Sequence, residues 1–223
     1  MGRVPRLIAF DLDGTLIDSS RDLAESASQL VEEMGGRPLT VDEVVRMVGE
    51  GAALLVQRAL TAAGLGPDPA ALPRFLEIYG ERLLNHTQLY PGMRAAVEAA
   101  RMGARVAVLT NKPLAPTERI LSALDVRHLF DDVAGGDGPH PRKPDPAGLR
   151  DMMAAAGTGP AETLLVGDSA IDHETARRAG ARCCLVSFGY GYHSVPEDRL
   201  TDADAVAADA AAVTSLIARF LSA

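Results

Sequence analysis

Short apolar runs alternate with segments of helical periodicity along most of the chain. The first run, RLIAF at residues 6–10, ends abruptly at Asp11, as a buried parallel strand ends where polar residues begin. Further strands are predicted at 105–110, 132–135, 163–167, 182–188 and 204–207. Helices are predicted between and after them, at 93–102, 115–124, 146–156, 169–179 and 210–221. This alternation predicts an α/β fold in which helices cover both faces of a parallel sheet.

A different pattern occupies residues 19–87, where apolar positions recur at helical spacing without a clear strand. Helices are predicted there at about 20–34, 41–48, 52–63 and 73–86. The pattern divides the chain into an α/β core, residues 1–18 and 88–223, and an all-helical insert, residues 19–87.

Two helix starts in the insert have recognisable capping residues. Ser19, Ser20 and Asp22 are suited to cap its first helix. Thr40 and Glu43 have the spacing of a capping box, in which each side chain accepts a hydrogen bond from the other residue's backbone N–H.

Composition and charge exclude several classes of protein. Of the 223 residues, 47% are hydrophobic and 23% charged, as in ordinary globular domains. The net charge of −8 argues against a nucleic-acid-binding protein and against docking on an anionic membrane surface. No apolar run approaches the roughly 18 residues of a membrane span, and the N-terminal apolar run is too short for a signal peptide.

Cys183 and Cys184 are adjacent and are predicted to lie in a core strand rather than to form a disulfide, so we expect a cytoplasmic protein. The sequence leaves the oligomeric state open.

Basic residues are unevenly divided: the chain has two lysines, Lys112 and Lys143, and twenty arginines. A lysine ammonium is a compact point charge that a planar guanidinium does not replace. These two positions therefore have a chemical reason or are lysine by chance, and composition alone favours neither.

Polar residues follow several of the predicted strands. They comprise Asp11, Asp13 and Thr15, then Thr110, Asn111 and Lys112, then Lys143 on a loop, and finally Asp168, Ser169 and Asp172. Because the carboxyl ends of parallel strands share one edge, we expect these residues to lie together. Crowded carboxylates repel one another, and oxygen ligands without histidine or cysteine favour Mg²⁺. Metal, lysine and a spare carboxylate predict phosphoryl transfer through an aspartyl-phosphate. Each residue taken alone also fits a helix cap, a turn or a solvated loop.

The motifs resemble, in order, those of the haloacid dehalogenase-like phosphatases. The matching segments are DLDGTLID at 11–18, VLTN at 108–111, Lys143, and GDSAID at 167–172. The resemblance covers essentially the whole chain. It implies a Rossmann-like core and identifies the all-helical insert as similar to that family's cap domain. Weaker matches resemble the phosphoglycolate phosphatases: VGEGAALLVQRAL at 48–60, YPGM at 90–93, TNKP at 110–113, GGD at 135–137 and SFGYGY at 187–192.

The resemblance implies a role for each matching residue. Asp11 is expected to be the nucleophile, Asp13 the general acid and base, Thr110 a donor to the phosphoryl oxygens, and Lys143 the cation that neutralises Asp11 and the phosphate. Mg²⁺ is expected to be held by Asp11, Asp13 through its main-chain carbonyl, and Asp168, with Asp172 in support.

The resemblance also implies a substrate and the residues that bind it. The substrate-binding residues are expected to be Thr110, Asn111, Lys112, Lys143, Gly49 and Gly51. The expected partner is a small phosphorylated metabolite, and the expected reaction is hydrolysis of 2-phosphoglycolate to glycolate and phosphate.

Other interpretations of the sequence differ in the substrate or in the class of protein. A sugar-phosphate phosphatase or a hexose phosphomutase uses the same fold and nucleophile. A signalling receiver domain also combines clustered aspartates, Mg²⁺, threonine and lysine, but its acceptor follows the third strand and it is about half this length. A catalytically silent binding protein is disfavoured because all four motifs are intact. The five histidines, which show no ligand spacing, are expected at the surface or in loops.

Overall fold

The computed structural model describes residues 5–223, so the first four residues of the predicted core lie outside the described part. The strands are β1 Leu7–Phe10, β2 Ile17–Asp18, β3 Gln88–Leu89, β4 Arg105–Leu109, β5 Asp132–Ala134, β6 Thr163–Gly167, β7 Arg182–Val186 and β8 Asp204–Ala207. Six of them form a parallel sheet in the order β5-β4-β1-β6-β7-β8. The predicted parallel α/β sheet is confirmed: β6 and β8 have the predicted bounds, and the other four strands of the sheet each differ at one end by one or two residues.

The helices are α1 Ser20–Glu33, α2 Val41–Val45, α3 Ala52–Ala62, α4 Ala71–Arg82, α5 Met93–Arg101, α6 Leu114–Ala123, α7 Ala147–Ala156, α8 Ala170–Ala179 and α9 Ala210–Ser222. Alternate residues of the central strand β1 face opposite sides of the sheet. Ile8 and Phe10 join one apolar core, which includes side chains of α5 and α9. Leu7 and Ala9 join the other, which includes side chains of α7 and α8. Both faces of the sheet are therefore covered, as the continuous apolar strands predicted.

Helices α1–α4 form the insert, which continues the apolar core on the α5 side of the sheet. The capping box of α2 is present: Glu43 N–H donates to Thr40 Oγ1 at 3.3 Å, and Thr40 N–H donates to Glu43 Oε2 at 2.9 Å. The sequence analysis missed β2 and β3, which pair antiparallel where the chain enters and leaves the insert. Two-residue strands are too short to give an alternating pattern.

The expected capping of α1 by Ser19 and Asp22 is wrong. Ser19 occupies the N-cap position but makes no side-chain hydrogen bond to the helix. The buried carboxylate of Asp22 accepts hydrogen bonds from the backbone N–H groups of His86 and Thr87 and from the Thr87 hydroxyl. Asp22 thus joins the first turn of the insert to its last residues.

Two further expectations have mixed outcomes. Cys183 and Cys184 are free and buried in β7, as predicted. His173 is also buried, in α8, with Nε2 3.4 Å from Asp204 Oδ2, so its expected surface position is wrong. Within residues 5–223, no helix combines the length and apolarity needed to cross a membrane.

Candidate active site

The predicted site residues converge at the carboxyl edge of the sheet. Asp11 follows β1, Thr110 follows β4, and Asp168 follows β6, three adjacent strands. They border a cleft between the sheet edge and the insert, with an empty volume, open mouth included, of about 700 Å³. The predicted residues that line it are Asp11, Asp13, Gly49, Gly51, Thr110, Asn111, Lys112 and Asp168.

A sharp turn after β1 brings Asp11 and Asp168 together. Asp11 N–H still donates to the Val166 carbonyl of β6, at 2.8 Å, so Asp11 is fixed at the sheet edge. Gly14 then adopts φ 84°, in the left-handed region that favours glycine. A Cβ at this position would collide with the carboxylate of Asp168. Glycine therefore allows the turn to close against Asp168.

Lys143 lies between two carboxylates and is itself 5% exposed. Its Nζ is 2.8 Å from Asp11 Oδ1 and 2.6 Å from Asp172 Oδ1. Burial lowers the pKa of Lys143, but the two carboxylates outweigh this effect and raise it above its usual value, so the lysine is charged. Asn111 supports the loop, because its side-chain amide donates to the Lys143 carbonyl at 2.9 Å.

Asp172 is fixed by the start of α8. Its Oδ2 accepts hydrogen bonds from Ser169 Oγ at 2.6 Å and Ser169 N–H at 3.1 Å, while Oδ1 accepts from Lys143. Its two oxygens are thus engaged, and the residue orients Lys143. Neither residue lines the cleft directly; they lie behind Asp11.

Three carboxylates gather beside this lysine. Asp11, Asp168 and Asp172 each present an oxygen within 4.8 Å of the other two. Burial raises the pKa of Asp11 to about 6, against the opposing effect of Lys143, and raises that of Asp168 well above its usual value. Asp11 Oδ1, despite its ion pair with Lys143, accepts no hydrogen bond of regular geometry. A crowded, buried set of hard oxygens with an unfilled acceptor fits a cation such as Mg²⁺.

The carboxylate of Asp13 lies outside this acid cluster and faces Lys112. Lys112 Nζ donates to Asp13 Oδ2 at 3.0 Å and to Oδ1 at 3.1 Å. Ser19 Oγ also donates to Oδ1 at 2.6 Å, and lies 3.1 Å from the Tyr190 hydroxyl. The Asp13 side chain is thus held by three donor contacts, two from a lysine and one from a serine.

The insert reaches the core through the loop before α3. Asn111 Nδ2 donates to the Gly49 carbonyl at 2.8 Å. Gly51 adopts φ 92°, and a Cβ there would lie 3.3 Å from the Asn111 carbonyl and 3.2 Å from the guanidinium of Arg142. Both glycines therefore sit where the two parts of the chain approach closely.

The sequence analysis missed three side chains of the site. Ser19 was expected to cap a helix, Tyr79 lies inside the helix predicted at 73–86, and Tyr190 lies in the matching segment at 187–192. Tyr79 and Tyr190 line the cleft. Helical periodicity predicts which face of α4 is buried, but it does not indicate that one residue on that face borders a ligand cleft.

Comparison with known proteins gives a consistent result. The family model described as haloacid dehalogenase-like hydrolase matches residues 8–186. The chain is 40% identical over 195 residues to the phosphoglycolate phosphatase of Cereibacter sphaeroides strain ATCC 17029, covering 85% of this chain and 88% of that protein. It is 40% identical over 207 residues to the phosphoglycolate phosphatase of Pseudomonas putida, covering 88% of this chain and 74% of that protein. A crystal structure titled as a predicted phosphoglycolate phosphatase from Haemophilus somnus 129PT is similar, with a TM-score of 0.87, 31% identity and coverage of 97% and 99%.

Proposed function

The chain belongs to the haloacid dehalogenase-like hydrolases, and from this premise we propose that it is a Mg²⁺-dependent phosphatase that converts 2-phosphoglycolate to glycolate and phosphate. That it hydrolyses phosphoric monoesters follows from its family and its relatives. One observation carries the mechanism: a buried aspartate, Asp11, faces an open cleft and is paired with a buried lysine.

Asp11 is the proposed nucleophile. One carboxylate oxygen attacks phosphorus, the bond from phosphorus to the ester oxygen breaks, and an aspartyl-phosphate forms on Asp11. Lys143 lies 2.8 Å from Asp11, on the side away from the cleft, and its charge offsets that of the phosphoryl group as it approaches. Asp172 positions Lys143, so it acts on the reaction through the lysine.

Asp13 is the proposed acid and base. It donates a proton to the departing alkoxide and then accepts a proton from the water that attacks the aspartyl-phosphate, which releases phosphate and restores Asp11. The glycolate alkoxide is strongly basic, so its protonation contributes greatly to the rate. Ser19 and Lys112 hold the Asp13 carboxylate in position for both transfers.

Phosphate is proposed to bind at the ends of β4 and β6. The Thr110 hydroxyl donates to a phosphoryl oxygen, beside Asn111 and Lys143. Mg²⁺ would be held by Asp11, the main-chain carbonyl of Asp13, and Asp168, with Asp172 in support. When bound, the ion would offset the negative charge of the phosphoryl oxygens.

Residues 19–87 are proposed to act as a cap domain on a core formed by the rest of the chain. The hydrogen bond from Asn111 to Gly49 joins the two beside the cleft that both residues line. Hinges near 18–20 and 88–92, beside the β2–β3 pair, would let the cap open and close. Crosslinking the cap in one position should reduce turnover, and unchanged kinetics would contradict the hinge.

The test is phosphate release by purified protein with Mg²⁺, comparing 2-phosphoglycolate with a panel of sugar phosphates. We expect kcat/KM to favour 2-phosphoglycolate by orders of magnitude, and Asp11→Asn or EDTA to abolish release. Asp198→Asn, at an exposed aspartate, is the matched control and should retain activity. Similar release from many substrates would contradict the substrate but keep the mechanism. No release, with stable phosphorylation of Asp11, would favour the mutase or receiver alternatives.

A further inference from the structure

The wall of the cleft that the insert contributes is apolar, with the exception of one side chain. Among the described residues, the insert contributes Leu23, Val48, Ala52, Leu55, Phe75 and Leu76 to the lining, together with Gly49 and Gly51. These side chains carry no hydrogen-bonding group. Tyr79 of α4 is the lining residue from the insert that brings a polar atom, its hydroxyl.

The Tyr79 hydroxyl is buried and makes no hydrogen bond of regular geometry, with Lys112 as its polar neighbour. The residue is 4% exposed. Buried polar groups are nearly always hydrogen-bonded in native proteins, and those that are not call for an explanation. Its ring stacks on Phe75, with centroids 5.8 Å apart and planes 7° apart, so packing fixes the direction of the hydroxyl.

The core places a cation beside the same ring. Lys112 Nζ lies 4.6 Å from the centroid of Tyr79 and is buried. Its ammonium donates to Asp13 Oδ2 at 3.0 Å and to Oδ1 at 3.1 Å, which fixes its position. Burial raises the pKa of Tyr79 to about 12, so the phenol remains protonated and can donate. An ammonium and a hydroxyl donor therefore share one corner of the cleft.

We propose that Tyr79 and Lys112 form the subsite that recognises the carboxylate of the substrate, with Tyr79 as the specificity-determining residue of the cap. The inference rests on the proposed function, since it assigns the part of 2-phosphoglycolate that does not react. A carboxylate is an acceptor-only anion that satisfies both donors. Among the described residues, the rest of this wall offers no other polar side chain from the insert, so a substrate's hydroxyl groups would find no side-chain partner there. The subsite thus favours a small phosphorylated acid over a sugar phosphate.

The test removes the hydroxyl from the protein and the carboxylate from the substrate. Tyr79→Phe keeps the ring stack on Phe75, and ethyl phosphate has the two-carbon skeleton of 2-phosphoglycolate without its carboxylate. The variant should lower kcat/KM for 2-phosphoglycolate by about 10- to 100-fold, the effect of losing a hydrogen bond to a charged group. The ratio of kcat/KM between the two substrates should fall at least about tenfold, mainly through KM.

Controls separate recognition from structure. Tyr192→Phe removes a hydroxyl outside the cleft, bonded to Glu197 at 3.0 Å, and should leave the substrate ratio unchanged. The effects of Tyr79→Phe and Lys112→Met should be non-additive for 2-phosphoglycolate, because both residues hold one group. Thermal unfolding checks that each variant is folded, and Tyr79→Met replaces Tyr79→Phe if the latter is not.

The outcomes distinguish two failures. If wild-type protein does not prefer 2-phosphoglycolate to ethyl phosphate, the proposed substrate is wrong before any variant is made. If it does prefer it, and Tyr79→Phe leaves the ratio unchanged or lowers kcat/KM equally for both substrates, the assignment of Tyr79 is overturned while the proposed function stands.

Discussion

Replacing Asp22 by alanine tests how the two ends of the insert are held together. The carboxylate is fully buried in the first turn of α1. It accepts hydrogen bonds from His86 N–H at 2.9 and 3.1 Å, from Thr87 N–H at 2.8 Å and from Thr87 Oγ1 at 2.8 Å. These donors stand 64 and 65 residues away along the chain, just before β3. Asp22→Ala therefore releases the end of the insert from its beginning.

The magnitude follows from the burial of the donors. His86 is exposed, so its N–H can donate to water instead. Thr87 is buried, so both of its donors would lose their partner. Each hydrogen bond to a charged group contributes about 1.5–3 kcal/mol. Removing the buried charge relieves part of this loss. We expect the free energy of unfolding to fall by about 3–5 kcal/mol, and the unfolding midpoint by about 6–20 °C for a chain of this size.

Thermal and urea unfolding, followed by circular dichroism, measure the change. Asp22→Asn keeps the shape and one acceptor oxygen, so it should lose less than Asp22→Ala. Asp42→Ala, at an exposed aspartate in the first turn of α2, is the control and should change stability by less than about 1 kcal/mol. A loss below about 1 kcal/mol for Asp22→Ala would refute the view that this carboxylate joins the two ends of the insert.

Other predictions concern the cleft and the core. Lys143→Arg should lower kcat at least about 100-fold, because a planar guanidinium cannot reproduce a point charge between two carboxylates 2.8 and 2.6 Å away; phosphate release near the wild-type rate would contradict this. Ser19→Ala removes the 2.6 Å hydrogen bond to Asp13 and should lower kcat by about tenfold, and an unchanged kcat would show that Asp13 needs no such support. Burial raises the pKa of the Cys184 thiol to about 12, and that of Cys183 well above its usual value. A thiol reagent at pH 8 should therefore react with neither cysteine in the native protein and with both in denaturant, whereas rapid native labelling would contradict their burial.

The strands of the sheet and most helices could be predicted because buried elements leave a pattern of apolar residues in the sequence: continuous runs for the strands and helical spacing for the helices. β6, for example, carries the apolar run LLV after Thr163 and is buried throughout, so its bounds were predicted correctly. The convergence of Asp11, Thr110 and Asp168 was predictable for a topological reason: parallel strands bring their carboxyl ends to one edge. The family assignment, confirmed by the comparisons, rested on these same positions.

Hydrogen bonds and ion pairs between residues distant in sequence leave no such pattern. Ser19 and Asp22 carry the chemistry of a helix cap, and a local pattern cannot distinguish a cap from a bond to Asp13 or Thr87. His173 was expected at the surface, because nothing near it in sequence signals that β8 places Asp204 beside it.

The sequence by itself determined the order of the six sheet strands and of the helices, the helical character of residues 19–87 and the set of acids, because these depend on local periodicity and on motif spacing. Only the tertiary structure decided what each side chain faces. Tyr79 has the same place in its helix pattern as its apolar neighbours, and it becomes a cleft residue because the insert folds back over the sheet edge. Contacts between segments depend on how whole elements pack, which no window of sequence contains.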